Sequence, residues 1–320
     1  MDVAIVGSGL VGLACAHELR RVGLEVSVFD RGEKPASLAA AGILGPQSEA
    51  QGPGPLVDLG LRSLELWPRF VEGLGEVGYD PCGTLQVGSP EHLARIAAWQ
   101  GKAGLRVEER EGGLFFPAEG TVDNRLLVAA LRERLRPIRA EVRAVHADRL
   151  ELRDGTAVRA RHVLVCAGAW SDELLPLRIF PVRGQMIALD VRPPRTVVYG
   201  EDGYLVPRRD RLLVGATVEN AGFEDRTTPE GLRQLLALAA RLAPGSERAR
   251  VLEHWSGLRP ATRDALPKIG RLESGVLVAT GHFRNGILLA PITAAIIRSL
   301  VLGETSPVDL LSFTPSRRSA

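Results

Sequence analysis

The sequence predicts an α/β protein of two interwoven lobes, one a Rossmann-like parallel sheet wound by helices, the other an α+β lobe built on a mostly antiparallel sheet. Three observations predict it. A glycine-rich strand-to-helix turn opens the chain; continuous apolar strands of the kind a parallel sheet buries recur far downstream, at 163–166 and 276–279; and short alternating strands with turn signals fill the region between them. The expected division gives residues 1–80, 137–176 and 250–320 to the first lobe, and 81–136 and 177–249 to the second.

At the start, Val3-Ala4-Ile5-Val6 feeds into Gly7-Ser8-Gly9-Leu10-Val11-Gly12 and an amphipathic stretch. Each glycine of this dinucleotide-binding pattern has its own reason. Gly7 permits the tight turn, Gly9 lets backbone approach a pyrophosphate, and Gly12 lets the helix sit close on the strand, with the helix N-terminus facing the phosphates. The motif alone is weak, but its surroundings agree. Ala16 and Leu19 fall on the face that packs on the sheet, Gly23 ends the helix, and Glu25 to Phe29 reads as a second buried strand. Asp30 closes it, where an acidic side chain accepts both ribose hydroxyls of an adenosine; an acid here argues against a 2′-phosphate.

Composition narrows the classes. The 320 residues carry a net charge of +2, which offers nothing to nucleic acid or an anionic membrane. Lysine occurs only at Lys34, Lys102 and Lys268, so the basic residues are almost all arginine. Cys15, Cys82 and Cys166 are odd in number and widely spaced, which reads as reduced, buried thiols, and the histidines show no metal-ligand grouping. The first strand begins at once and no apolar run reaches membrane-spanning length, so the expectation is a cytoplasmic protein without signal peptide or metal.

The remaining elements follow in order. Ser37 to Leu44 is a run of small residues, suited either to close approach of a flat ligand or to a short Ala-rich helix. Leu56 to Leu74 predicts an amphipathic helix that Pro68 kinks or interrupts. Thr84 to Val87 reads as a strand, Pro90 to Lys102 as a helix, and Leu105 to Val107 as a short strand. Asp123 caps a helix to Leu135 with Leu126, Leu127, Ala130 and Leu131 inward, and Pro137 ends it. A hairpin around Asp154-Gly155 leads to the strand at 163–166, which runs into the Gly168 turn at a carboxyl edge where ligands sit. Strands at 180–189, 197–199, 204–207 and 212–216 form the antiparallel sheet, and Pro229 to Leu242 a helix over it. After the strand at 276–279, Gly281 to Leu289 leads to Pro291, the first residue of a buried helix whose N-terminus, with Asn285 and the glycines before it, presents donors to whatever lies there.

Several separated stretches together resemble the D-amino-acid oxidase family of FAD enzymes, and within it the thiamin-biosynthesis branch that acts on glycine. They are Gly7 to Asp30, Ala39-Ala40-Ala41-Gly42 with Gln47-Ser48-Glu49-Ala50, Ser63 to Pro68, Cys166 to Ser171, Tyr204 to Arg208, Gly257-Leu258-Arg259-Pro260, and Gly281 to Leu288. The resemblance implies a noncovalent FAD. Leu10, Val11, Asp30 and Arg31 would hold its adenosine and pyrophosphate half, with Val142 on the adenine; Ser37, Leu38, Ala41, Gly42, Ile43 and His282, Phe283, Arg284, Asn285, Gly286, Ile287 and Leu288 would line the flavin. It further implies Arg259 as clamp on the substrate carboxylate, Tyr204 donating to that carboxylate, and Arg284 close by.

From the residues alone, Arg259 paired with Glu253 or Asp264 is the plainer reading, and Tyr204 the core aromatic; the resemblance reverses the first. A guanidinium fork suits a planar carboxylate in a water-poor site. His282 reads as an orienting side chain rather than a base, and Trp170 and Trp255 as packing residues. Two departures stand out: the family often carries methionine where Ile43 stands, and this chain is shorter than is usual for that branch.

The implied reaction is oxidative deamination of glycine, sarcosine or small D-amino acids to the 2-oxo acid, ammonia and hydrogen peroxide, with oxygen as acceptor. The implied setting is a homo-oligomer supplying a thiazole synthase. The rivals are a dehydrogenase of the same fold using another acceptor, a noncatalytic flavin-binding subunit, and a nicotinamide dehydrogenase, which leaves the last glycine segment without a purpose.

Overall fold

The computed structural model describes residues 1–110 and 112–317. Its first sheet has the strand order Lys268–Arg271, Leu277–Thr280, His162–Val165, Val3–Val6, Val26–Asp30, Ile138–Arg139, parallel throughout except for the first of these. Both faces are buried, so side chains alternate between two cores. Val3 and Ile5 face helices Leu10–Arg21, Pro55–Val71, Asn124–Leu135 and Ala290–Leu302. Ala4 and Val6 face a three-stranded antiparallel sheet, Val142–Val145, Arg149–Leu152 and Ala157–Arg159.

The second sheet has eight strands in the order Arg250–Ala261, Phe180–Asp190, Arg211–Gly215, Gly203–Arg208, Val197–Gly200, Thr84–Gln86, Gly113–Phe116, Glu108–Arg110. All its pairs are antiparallel except Val197–Gly200 with Thr84–Gln86. The two-residue period again sorts the side chains. Ile187, Leu189, Leu205 and Val214 pack under helix Pro229–Leu242, whereas Met186, Ala188, Tyr204 and Val206 face the first lobe and meet Ala39, Ala41 and Ile43.

The segment 37–42 is where the lobes meet, and its backbone is held from both sides. Asn124 Nδ2 donates to Ser37 O at 2.6 Å, Arg125 Nε to Leu38 O at 3.3 Å, Trp255 Nε1 to Ala39 O at 3.0 Å, Arg208 Nη2 to Ala41 O at 2.6 Å, and Val122 N to Gly42 O at 2.9 Å. Of the two readings open for this run, both hold in part: Ala36–Ala39 is one helical turn, and Ala40 to Ile43 passes close along a cleft.

Several expectations are corrected. Helix Pro55–Val71 runs unbroken through Pro68; the proline is exposed, so water can satisfy the carbonyl its missing N–H leaves free. The strand expected at 105–107 lies instead at Glu108–Arg110, because pairing with Gly113–Phe116 decides an edge strand whose own residues are weak β-formers. Leu126 is 47% exposed: the inward stripe of its helix is Leu127, Leu131 and Leu135 at helical spacing, and position 126 lies off it. That helix packs on helix Leu10–Arg21 rather than within the second lobe, and Arg250–Ala261 is a strand of the eight-stranded sheet rather than of the first lobe. Apolar matching decides the first placement, and an eleven-residue ladder with Phe180–Asp190 the second.

Arg208 joins the lobes most directly. Its guanidinium is almost fully buried and donates to Thr121 Oγ1, Pro207 O, Ala41 O and Val122 O at 2.6–3.0 Å, with Asp123 at 3.8 Å. Arg208→Ala leaves those carbonyls unpaired in the interior and should cost roughly 2–4 kcal/mol in chemical denaturation, with Arg208→Lys recovering only part because one ammonium cannot span the fork.

Candidate active site

One cleft runs between the lobes, from Asp30 and Val142 at one end to Tyr204 and Arg259 at the other. Counted with its open mouth, the cleft spans about 1620 Å³. Of the residues singled out from sequence, Gly7, Gly9, Leu10, Val11, Asp30, Arg31, Val142 and Gly168 line the first half. Ser37, Ala41, Gly42, Ile43, Tyr204, Arg259, His282, Phe283, Arg284, Gly286 and Ile287 line the remainder.

Four others do not line it. Gly12 is packed so closely on the first strand's end that a side chain would collide with Gly7 O. Leu38 turns into the helical core, and Asn285 serves the turn, its N–H donating to His282 O. Leu288 is buried, its carbonyl accepting from Ser63 Oγ at 2.6 Å and Trp67 Nε1 at 3.0 Å. Ser63 Oγ also accepts from Ile292 N at 3.4 Å, so a first-turn donor of the last helix is already engaged. Trp170 packs as expected, its ring centroid 6.0 Å from that of Phe223, and also lines the cleft with the Arg31 guanidinium 5.4 Å above its ring. Trp255 is buried as expected.

The first half fits an adenine dinucleotide. Helix Leu10–Arg21 begins at Gly9 with no side-chain cap, and Leu10 N donates to Ser37 Oγ at 3.2 Å. A side chain at Gly9 would meet only Pro35 at 3.6 Å and Ser37 at 3.9 Å, ordinary contacts, so the protein itself leaves this position free and a closely approaching group explains the glycine. Asp30 accepts from Ser8 N at 2.7 Å on one oxygen and Gly32 N at 2.6 Å on the other. A carboxylate has about four acceptor positions, so two remain for a ribose diol.

The other half is built around two guanidinium groups. Both alternatives for Arg259 are excluded: Glu253 binds Arg125 at 2.6 and 2.9 Å, and Asp264 binds Arg317 at 2.8 and 2.9 Å. Arg259 Nη1 instead donates to Thr217 O at 3.1 Å and Arg183 O at 3.4 Å, and Gly184 passes flat across the guanidinium where any side chain would overlap it. Burial and the neighbouring Arg284 charge push the Arg259 pKa down, while Tyr204 and Glu49 favour the cation. Burial raises the Tyr204 pKa, which leaves its hydroxyl a donor, set 4.0 Å from Met186 Sδ.

Arg284 is turned away from Arg259's task. Its Nη2 donates to Tyr199 Oη at 2.6 Å, and its Nε lies 3.7 Å from Glu49 Oε2. Burial opposes this cation, but Glu49 and Tyr199 hold it protonated above the ordinary range. Glu49 and Tyr199 are residues that sequence reasoning did not assign to the site, although Glu49 stands within a stretch carrying the resemblance. His282 is buried, its pKa lowered to about 3 by desolvation, with Nε2 3.0 Å from Thr293 Oγ1; it is neutral and already partnered.

Comparisons with known proteins agree with this geometry. The family model for DAO, FAD dependent oxidoreductase, matches residues 2–300. A glycine oxidase of Geobacillus kaustophilus is 34% identical over 365 positions, covering 99% of this chain and 97% of that protein. The crystal structure of glycine oxidase from Geobacillus kaustophilus superposes with a TM-score of 0.92 at 32% identity, covering 100% of this chain and 99% of that one. A bifunctional protein ThiO/ThiG of Synechocystis sp. is 39% identical over 99% of this chain; the chain spans about half of that relative's length, 54%.

Two outcomes are expected. Gly9→Ala should fold with an unchanged unfolding midpoint yet lose bound FAD, read by flavin absorbance after gel filtration, whereas Gly12→Ala should lose about 1–3 kcal/mol of stability from overpacking. The His282 pKa lies below its unfolded value of 6.5, so its stabilising contribution is whole above pH 6.5 and lost as pH falls towards 3. The unfolding midpoint should therefore drop on acidification through that window, and less steeply in His282→Asn.

Proposed function

We propose a function from the premise that this chain belongs to the DAO family of FAD-dependent oxidoreductases, whose model spans most of it. FAD is its cofactor. We read the chain as an amino-acid oxidase that converts glycine, sarcosine and small D-amino acids, with oxygen and water, to the 2-oxo acid, the amine released from it (ammonia for a primary amine) and hydrogen peroxide. The observation that carries this is Arg259: a guanidinium in the cleft wall with no carboxylate partner among the described residues, beside a tyrosine hydroxyl.

In this reading Gly9, Leu10, Asp30, Arg31 and Val142 hold the adenosine and pyrophosphate half of the cofactor, and Ala41 to Ile43 with Gly286 and Ile287 border the flavin. Bound FAD supplies the two-electron acceptor for the substrate's Cα–H bond. Arg259 takes the substrate carboxylate through charge-assisted hydrogen bonds, and Tyr204 adds a donor; two fixed contacts on one end orient Cα, a proximity effect. The amine reacts in its neutral form. His282 does not serve as its base, since desolvation holds the ring neutral and Thr293 occupies Nε2. Apolar walls from Met186, Ala41 and Ile43 exclude water around the reacting carbon.

The reading extends to a cytoplasmic homo-oligomer that works beside a thiazole synthase. The ThiO/ThiG names of the longer relatives support that pairing, and among the described residues no helix is long and apolar enough to cross a membrane.

An anaerobic titration tests the function. Purified yellow protein should bleach with glycine or sarcosine and not with NADH, and admitting oxygen should restore the colour with release of peroxide. Arg259→Ala should keep FAD but lower kcat/KM by at least about a hundredfold, the cost of removing one partner of a desolvated charge pair. Undiminished turnover in that variant rejects the assignment; bleaching without reoxidation by oxygen points to a dehydrogenase.

A further inference from the structure

The substrate end of the cleft carries a charge pattern that the reading above does not use. Two guanidinium groups, Arg259 and Arg284, border it with one carboxylate, Glu49; the other acids lining the cleft, Asp30, Glu33 and Glu173, stand at the adenosine end. Glu49 is placed rather than incidental. Its backbone closes a turn, Glu49 N donating to Gly45 O at 3.1 Å, and Gln47 N and Ser48 N both donate to Glu119 Oε1, at 2.6 and 2.9 Å. Glu119 is itself fully buried, so this turn is pinned by a carboxylate that binds nothing in the cleft. The Glu49 side chain is 14% exposed and reaches Arg284 across 3.7 Å.

We infer that Glu49 is a specificity residue that counts substrate charge: by neutralising Arg284 it leaves Arg259, among the described residues at this end of the cleft, as the cation without a carboxylate partner, so the site admits a single carboxylate and repels a second. A monocarboxylic amino acid meets one cation and one internal ion pair. A dicarboxylic amine brings its second anion against Glu49 in a poorly solvated cleft, where like charges cost far more than in water. With Glu49 made neutral, Arg284 becomes a second anion clamp at the same end.

The inference rests on Arg259 holding the substrate carboxylate, and sarcosine with iminodiacetate forms a matched pair to test it, since the second is the first with a carboxylate added on the N-methyl carbon. In FAD-loaded Glu49→Gln the ratio of kcat/KM for iminodiacetate to that for sarcosine should rise at least tenfold over wild type. In Glu49→Gln combined with Arg284→Gln the gain should vanish. Binding is read separately, by the shift that acetate and malonate, neither of them oxidisable, produce in the absorbance of the bound flavin. Malonate affinity relative to acetate should follow the same order across the three proteins. An unchanged ratio in Glu49→Gln, or a gain that survives loss of Arg284, overturns the inference. A wild type that binds acetate but turns over neither amine rejects the oxidase reading while the malonate comparison still decides the charge count, and a Glu49→Gln protein with an unaltered flavin spectrum shows that the cleft is intact.

Discussion

The structure depends on a stretch of backbone that two lobes must share. From Ser37 to Gly42, five carbonyls accept hydrogen bonds from side chains or backbone of other elements, and three of the donors, Asn124, Arg208 and Trp255, are buried or nearly so. Such a strip could not lie between two sheets without partners, since each buried unpaired carbonyl costs about 1–3 kcal/mol. Small side chains are the consequence. Alanine at 39 and 41 and glycine at 42 and 257 bring the second sheet against this strip, and a cleft wall of backbone and methyl groups results.

That wall sets the electrostatics of the site. A cleft bordered by apolar residues strengthens the charges it contains, so the arrangement of three ionic groups matters more than their number. Arg259 is held by carbonyl oxygens, which orient a cation without neutralising it; Arg284 is held by Glu49, which neutralises it. The same residue type therefore plays two parts in one cleft, and the difference lies in whether the acceptor bears a formal charge. Glu119, whose pKa burial raises to about 7 against the opposing hydrogen bonds from Ser48 and Gln47, carries this logic one layer outward, holding the turn that delivers Glu49.

Strand and helix identities followed from local rules wherever one face was buried and the chain supplied its own punctuation. The opening strand, glycine turn and helix, the helices at 90–102 and 229–242, and the long antiparallel strands all carry a period that survives into the fold. The errors cluster where the period was weak or a partner decided. Edge residues 108–110 have little β-preference of their own, Leu126 sits one position off a stripe that only the packed neighbour defines, and Pro68 breaks nothing because its side of the helix meets water.

What the amino-acid order determined alone was the Asp30 end of the cleft and the turn behind it: glycines at 7, 9 and 12 and an acid at 30 act through chain neighbours or through one strand-helix-strand unit, so their spacing in sequence is already their spacing in space. The Arg259 end of the cleft was decided by tertiary structure. Whether Arg259 met Glu253, Asp264 or open cleft depended on where Arg125 and Arg317 landed, the first more than a hundred residues from its carboxylate and the second more than fifty, and those two took the carboxylates first. Charge pairing acts through space and is indifferent to order along the chain, which is why Glu49 and Tyr199 entered the site only when the lobes closed.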